Sequence, residues 1–590
     1  MVDAQLTHAP SLLHGWQALA SAYAAVQAPL LVGLLRGRAP LRKFLLSPLL
    51  AVPLTAVCGA AMAAAAGFGS ALGVAADGVL QVSAGIALSA ALGYAAGRAV
   101  ARAGSAAITH LRGAIVTETP RHARAPEARR RQVAHGRERS AGTVTLAGLP
   151  IQAEDEVKHF KLIGTTGTGK STAICEMLGA ALTRGDRAVI ADPDGGYLRR
   201  FYDPRRGDVI LNPFDPRSAR WDLFGEISND YDVDQLSRSL IPDHEGQDRS
   251  WRGYARTFLS AVTAQAQAAG TREVGELYRL LVVASTAELK TLVAGTPAQP
   301  FLEEHNGRMF DSIRSVTSSA VSALEYVARQ RSAPLAVRDW VRDGADPGTS
   351  AAQNRRGVLF MPYRAGQVAA LRSTISAWMR LAIFEAMNRE EGEQRLWFVV
   401  DELDALGQID GLKDALARLR KFGGRCVLGF QSVAQVSSTY GGGEAQTIVE
   451  NCANTLILRC SGSEHGGTSQ FVSRLIGERE VTRVTTSRSR RASEFLPSVT
   501  RAEHAGVELA VMGSEIEQLP DLNGYLKLAS SPEWRRVRLD PQTLHDRDAA
   551  PVSARILRFP RGNSPVPSAG RRASLTERNA ARLHDGLEPE

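Results

Sequence analysis

The chain has 590 residues, which at about 150 residues per domain allows roughly three or four folding units. Apolar residues make up 44% and charged residues 22%, a globular balance that excludes a wholly disordered, collagen-like or small disulfide-stapled protein. The 70 Lys and Arg against 61 Asp and Glu leave a net charge of +9, which favours contact with nucleic acid or anionic lipid. Cys58, Cys175, Cys426, Cys452 and Cys460 form no CxxC pair, so they are expected as buried thiols rather than as disulfides or a zinc site.

From the amino end, Leu12 to Leu35 is fairly apolar but is interrupted by Trp16, Gln17 and Gln27, which predicts an interfacial or packed helix inside an amino-terminal segment 1–43 on the cytoplasmic side. Phe44 to Ala66 and Val79 to Gly97 carry no charge, and each supplies the about 20 helical residues that cross a hydrocarbon core. Arg36, Arg38, Arg42 and Lys43 precede the first stretch, Arg98 and Arg102 follow the second, and only Asp77 lies between them. The positive-inside rule then predicts a two-helix transmembrane hairpin over 44–97 with both ends cytoplasmic. The competing reading is a pair of Ala-rich helices buried in a soluble domain. Residues 98–140 are basic, with Arg121, Arg124, Arg129, Arg130 and Arg131 among them, and read as a linker that meets anionic headgroups or DNA backbone.

From His159 an apolar strand pattern leads into Gly164-Thr165-Thr166-Gly167-Thr168-Gly169-Lys170-Ser171, followed by a helical pattern from Thr172 to Leu182. This is G-x-x-x-x-G-K-[ST] in its strand–loop–helix setting. The glycines turn backbone N–H groups toward a phosphate at a helix N-terminus. Lys170 is then expected to neutralise the β- and γ-phosphates and the Ser171 hydroxyl to ligate Mg²⁺, with ATP as the nucleotide. The second acidic element that such a site needs follows Leu396 to Val400, an apolar run suited to a strand buried on both faces. There Asp401 is expected to reach the metal, on a strand neighbouring the P-loop, and Glu402 to orient or deprotonate the attacking water. A third strand, from Arg425 to Phe430, ends at Gln431, which either senses the γ-phosphate or caps the next helix. Arg420 and Lys421 end the preceding helical segment 410–422, where cations favour the helix dipole. In a ring, Arg420 could instead serve a neighbour's nucleotide as an arginine finger.

Together with VIADPDGG (189–196), LNPFDPRSARWDLF (211–224), the run from Asp401 to Gly441 and LPDLNGYLKL (519–528), these segments resemble the coupling-protein ATPases of conjugative type IV secretion, the TraD/TrwB group. The resemblance covers about 150–540. It implies an α/β, RecA-like P-loop motor over 141–217 and 336–540, interrupted by an all-helical domain within 218–335, on a two-helix transmembrane anchor in the bacterial inner membrane. It further implies a homo-hexamer that passes single-stranded DNA with its relaxase from the relaxosome to the secretion channel. Lys170, Ser171, Asp401, Glu402, Gln431 and Arg420 fall on the family's phosphate, metal, acidic, third-motif and trans-acting positions. The helical segments expected in the inserted domain are Trp251 to Ala268 and Leu277 to Leu292.

Two features depart from the group. Residues 541–590 read as a polar, disordered tail without the long acidic extension of some TraD proteins. The run Ser487 to Arg491 is expected only as a solvated loop or phosphate contact. Two other functions compete with DNA transfer through a secretion channel. One is a double-stranded DNA pump of the FtsK type, and the other is a substrate receptor that binds nucleotide without hydrolysing it.

Overall fold

The computed structural model describes residues 9–37, 39, 41–71, 78–102, 108–118, 142–243, 248–343, 357–388, 395–463, 467–489 and 498–541. The tail expected over 541–590 lies, after its first residue, outside the described residues, as does most of the basic run 119–141. The described residues form two compact units, one within 1–112 and 480–508, the other within 113–479 and 509–590.

The first unit holds three long helices, α1 (Ala9–Arg36), α2 (Leu41–Ala71) and α3 (Gly78–Arg102). Each contains a window long and apolar enough to cross a membrane: Leu19–Arg36, Lys43–Ala61 and Ser83–Ala101. α2 and α3 are the two helices expected over 44–97, and α1 is a third with an apolar window of the same kind. Gln27, which made α1 look too polar to span, donates from Nε2 to Ser47 Oγ at 2.9 Å inside the bundle. Gly97 permits the close approach of α3 to α1, since a Cβ there would stand 2.3 Å from the Leu30 carbonyl oxygen. Cations gather at one end of the bundle. Lys43 Nζ donates to the carbonyl of Val100 at 2.6 Å, and Arg98 donates to the last carbonyl of α1, Arg36, at 3.0 Å, the helix ends where positive charge is favoured.

The stretch expected as pure linker also carries strands. β1 (Ile108–Gly113) joins a three-stranded sheet with the long hairpin of residues 478–489 and 498–509. β2 (Val116–Glu118) belongs to the second unit. Neither strand carries a period-two apolar pattern, since Leu111 is exposed and Val116 only half-buried.

The second unit is built on a ten-stranded sheet. Its strands are β2, β3 (Phe160–Ile163), β4 (Arg187–Pro193), β5 (Val209–Ile210), β6 (Val358–Tyr363), β7 (Leu396–Val400), β8 (Gly424–Phe430), β9 (Asn454–Ile457), β10 (Asn523–Lys527) and β11 (Trp534–Arg538). They lie in the order β2-β11-β10-β9-β3-β8-β7-β4-β6-β5. All pairs from β9 to β5 are parallel, with Val399 opposite both Val427 and Ile190, so ligands are expected at the carboxyl ends of these strands. The pleat divides the core in two. Trp397 and Val399 pack with Ile174 and Leu178 of the P-loop helix, whereas Phe398 and Val400 pack with Trp378 and Met379 of the long helix over 365–387.

The helical insertion hangs from a neck where Arg220 and Trp221 pair in parallel with Pro334 and Leu335. Much of the 211–224 signature builds this neck. Asn212 Nδ2 donates to the Pro362 carbonyl at 2.8 Å, and Trp221 packs edge-on to Trp378 with centroids 5.7 Å apart. Trp221 Nε1 donates to Glu226 Oε1 at 2.8 Å, and Glu226 also accepts from the N–H groups of Val337 and Arg338. Beyond the neck, the helix over 249–268 contains the segment expected from Trp251 to Ala268. The segment expected from Leu277 to Leu292 is instead broken. A wide turn over 279–283 ends its first part, and Ser285, accepting from the Glu288 N–H, caps a new helix over 286–292.

Candidate nucleotide-binding site

Residues 164–169 join β3 to the helix over 170–184. The loop is pinned at its start: the Gly164 N–H donates to the Phe430 carbonyl at 3.1 Å and the Thr165 N–H to the Arg459 carbonyl at 2.9 Å. Thr168 closes the turn through its hydroxyl on the Thr165 carbonyl at 2.7 Å. Gly169, with φ 117°, adopts a left-handed conformation that a side chain would strain at the start of the helix. Thr166, Gly167 and Ser171 are exposed, Thr165 and Thr172 half-buried, and Thr168 buried.

Lys170 is 7% exposed, and its ammonium folds back onto the carbonyls of Gly164 at 2.6 Å and Thr165 at 3.2 Å. Burial lowers its pKa, opposed by the charges of Asp401 and Glu402. An ammonium held by carbonyl dipoles in a glycine-rich loop at a helix N-terminus is arranged to receive an anion.

Asp401 follows β7, and its Oδ2 accepts from the Ser171 hydroxyl at 2.7 Å. The expected meeting of P-loop and acid therefore occurs, although the strands are not neighbours. β8 is inserted between β3 and β7, and Gly429 on β8 lets them close, because a Cβ there would stand 2.0 Å from the Asp401 carbonyl oxygen. Asp401 Oδ1 is buried without a hydrogen-bond partner among the described residues. A hydroxyl and a carboxylate oxygen of this kind suit Mg²⁺, which takes hard oxygen ligands and keeps phosphate and water for the remainder.

Glu402 is half-buried. Burial, and then the charge of Asp401, raises its carboxyl above the usual carboxylate range, as suits a general base. Gln431, directly after β8, donates from Nε2 to Glu402 Oε1 at 2.5 Å and accepts from the Thr166 hydroxyl at 3.2 Å. It thus bridges the P-loop and the acid rather than capping a helix. Arg420 is not brought to this site. It is exposed at the amino end of β8, where its charge is felt by His159 at the start of the neighbouring strand β3. The strand puts about 20 Å between that end and Gln431.

A residue that the motifs do not mark also enters the site. Tyr197, on the short helix α4 (Gly196–Phe201), donates its phenol to Asp401 Oδ2 at 2.7 Å. The only signal for it in the sequence is its place directly after VIADPDGG.

The model of the type IV secretion-system coupling protein DNA-binding domain matches residues 143–540. Coupling protein TraD of Escherichia coli K12 is 31% identical over 403 residues, 68% of this chain and 55% of TraD. The chain thus spans about half the length of that curated relative. Among solved structures, the bacterial conjugative coupling protein TrwBdeltaN70 aligns with a TM-score of 0.63 at 30% identity, covering 74% of this chain and 95% of its own. Plasmid coupling protein TrwB in complex with ADP and Mg²⁺ aligns at 0.61 and 30% identity, covering 75% and 96%. The fold is accordingly RecA-like and nucleotide-binding. With the family's domain matched over more than half of its length, this chain belongs to the type IV secretion-system coupling proteins, the family of TraD and TrwB.

Proposed function

We propose that this chain is a membrane-anchored ATPase that couples a relaxosome to a conjugative type IV secretion channel and drives single-stranded DNA, with its attached relaxase, toward that channel. The observation that carries the reading is the 2.7 Å contact between Ser171 and Asp401 across an intervening strand. It supports reading Ser171 and Asp401 as two hard-oxygen ligands of a metal site next to Lys170, in a family whose member TrwB has been solved in complex with ADP and Mg²⁺.

ATP supplies a phosphoanhydride bond, and Mg²⁺ neutralises its developing negative charge. The loop amides of residues 166–172 would hold the phosphates, with Lys170 adding its charge. Ser171 and Asp401 would hold the metal. Glu402 would take the proton of the attacking water, and Gln431, joined to both Thr166 and Glu402, would register whether the terminal phosphate is present. Arg420, remote from its own P-loop, would act on a neighbouring subunit of a homo-hexamer.

The helices α1, α2 and α3 would anchor the motor in the inner membrane. Arg36, Lys43 and Arg98 mark one end of the bundle as cytoplasmic, which leads to three spans with the chain ahead of α1 on the opposite face.

The full chain in detergent should hydrolyse ATP in the presence of Mg²⁺, faster with single-stranded DNA than with duplex and less at high salt. Lys170→Ala should be inactive in hydrolysis and in conjugative transfer while still inserting into membranes. Transfer by Lys170→Ala at the wild-type rate overturns the motor reading, and stimulation by duplex alone turns it toward a double-stranded DNA pump.

A further inference from the structure

Tyr197 lies outside the P-loop and the acidic motif, yet its phenol and the Ser171 hydroxyl donate to the same oxygen of Asp401, each at 2.7 Å. Its side chain is packed, with the residue 3% exposed, and the helix that carries it is fixed at its start. Asp192, 0% exposed, accepts from the Tyr197 N–H at 3.1 Å through Oδ1 and from the Leu198 N–H at 2.7 Å through Oδ2. Asp194 and Gly195, at φ 57° and 68°, turn the chain from β4 into α4, and the Asp194 N–H donates to the Tyr363 carbonyl at 2.8 Å. The phenol is therefore aimed by two adjacent strands, β4 and β6.

A carboxylate turns readily about its last torsion. One hydrogen bond from Ser171 does not fix it, because that hydroxyl is itself one of the oxygens suited to the metal. A donor held by a separate rigid element does. Ligating carboxylates are commonly oriented by such partners, and losing one typically costs 10–100-fold in metal affinity or activity.

We propose that Tyr197 is a positioning residue of the nucleotide site: it locks the Asp401 carboxylate so that Oδ1, buried without a protein partner, faces the divalent cation. The inference rests on the reading of this site as a Mg²⁺-dependent ATPase. Tyr197 holds the acid by one oxygen and leaves the other for the metal, while Asp192 keeps α4 in register.

The test uses the full chain in detergent as wild type, Tyr197→Phe and Asp192→Asn, each titrated with Mg²⁺ at saturating ATP. Binding of a fluorescent ATP analogue is measured with and without Mg²⁺, and melting temperature is recorded. Tyr197→Phe, which removes one oxygen from a packed ring, should raise the Mg²⁺ concentration for half-maximal hydrolysis by about tenfold. Its affinity for nucleotide without metal should be unchanged. Asp192→Asn leaves the phenol in place but weakens its support, and should shift the Mg²⁺ requirement in the same direction by less. A lowered melting temperature with an unmoved Mg²⁺ requirement in both variants assigns Tyr197 a purely structural role and overturns the inference alone. A wild type that neither hydrolyses ATP nor binds nucleotide more tightly with Mg²⁺ overturns the parent reading, and the inference with it.

Discussion

Replacing Lys170 by Met should change the protein's stability little while removing its hydrolysis. Lys170 is 7% exposed and its ammonium is held by two backbone carbonyls. Each hydrogen bond from a charged donor contributes about 1.5–3 kcal/mol, whereas taking an ion out of water costs several kcal/mol. The two nearly cancel, and Met keeps most of the aliphatic stem, so little cavity is left. The net change in stability should be within about 2 kcal/mol, with the thermal midpoint moving by no more than about 4–8 °C. In hydrolysis no compensation exists, because the loss of a preorganised charge at a developing anion costs about 10²–10³ in rate. Differential scanning fluorimetry and a coupled ATPase assay on the same preparations read the two effects. A variant that melts far below the wild type would show that the buried ammonium holds the fold rather than awaiting a ligand. A variant that hydrolyses at the wild-type rate would remove Lys170 from the site altogether.

Arg420→Ala should bind nucleotide as the wild type does but lose about 10³-fold in hydrolysis. Mixing it with Lys170→Ala should restore turnover at mixed interfaces; if no ratio does, Arg420 does not act across subunits. His159 is 1% exposed, accepts from the Cys426 N–H at 3.1 Å and donates to the Leu416 carbonyl at 2.9 Å, and burial lowers its pKa from 6.5 to about 4. The unfolded chain therefore binds a proton that the folded chain refuses between those values, and stability should fall as pH drops from 6.5 to 4. At about 1.4 kcal/mol per pKa unit this comes to about 3 kcal/mol. His159→Asn, which tolerates the φ of 57° at this position, should unfold in acid with a slope shallower by about one proton; an unchanged slope in pH-dependent melting contradicts the assignment. Finally, Ala4→Cys should react with a membrane-impermeant maleimide in intact spheroplasts, and Ala39→Cys only after permeabilisation. The described native thiols are all buried. Reaction of both positions only after permeabilisation would return α1 to the cytoplasmic face.

What was legible in the sequence was what is local in the chain. The P-loop, the acid pair after β7 and Gln431 after β8 each lie within a few residues of the strand that presents them, so pattern and spacing reveal them. Tyr197 reaches Asp401 across 204 positions, and no local pattern announces a phenol that donates to a carboxylate so far away. The third apolar helix was hidden because composition scores Gln27 as polar without knowing that its Nε2 finds Ser47 of α2 inside the bundle. The break near residue 284 was hidden because Leu277, Leu280, Leu281, Leu289 and Leu292 are all buried, and burial on both sides of a wide turn preserves a helical period that the backbone does not follow. Strand order was likewise beyond reach, since adjacency of β3, β8 and β7 is set by packing rather than by any single segment.

That order has a mechanical consequence. Because β8 lies between the P-loop strand and the acid strand, the amide at its carboxyl end can hold Thr166 and Glu402 together. At its amino end the same strand follows the short turn that carries Arg420, and the two ends are about 20 Å apart along a strand buried throughout. A buried strand hydrogen-bonded on both sides moves as a rigid piece. A shift at Gln431 on loss of the terminal phosphate would therefore be delivered at Arg420 with little attenuation. Had the acid strand lain directly beside the P-loop strand, Gln431 and Arg420 would still end one strand, but that strand would not lie between Thr166 and Glu402, and the amide would have no place from which to join them.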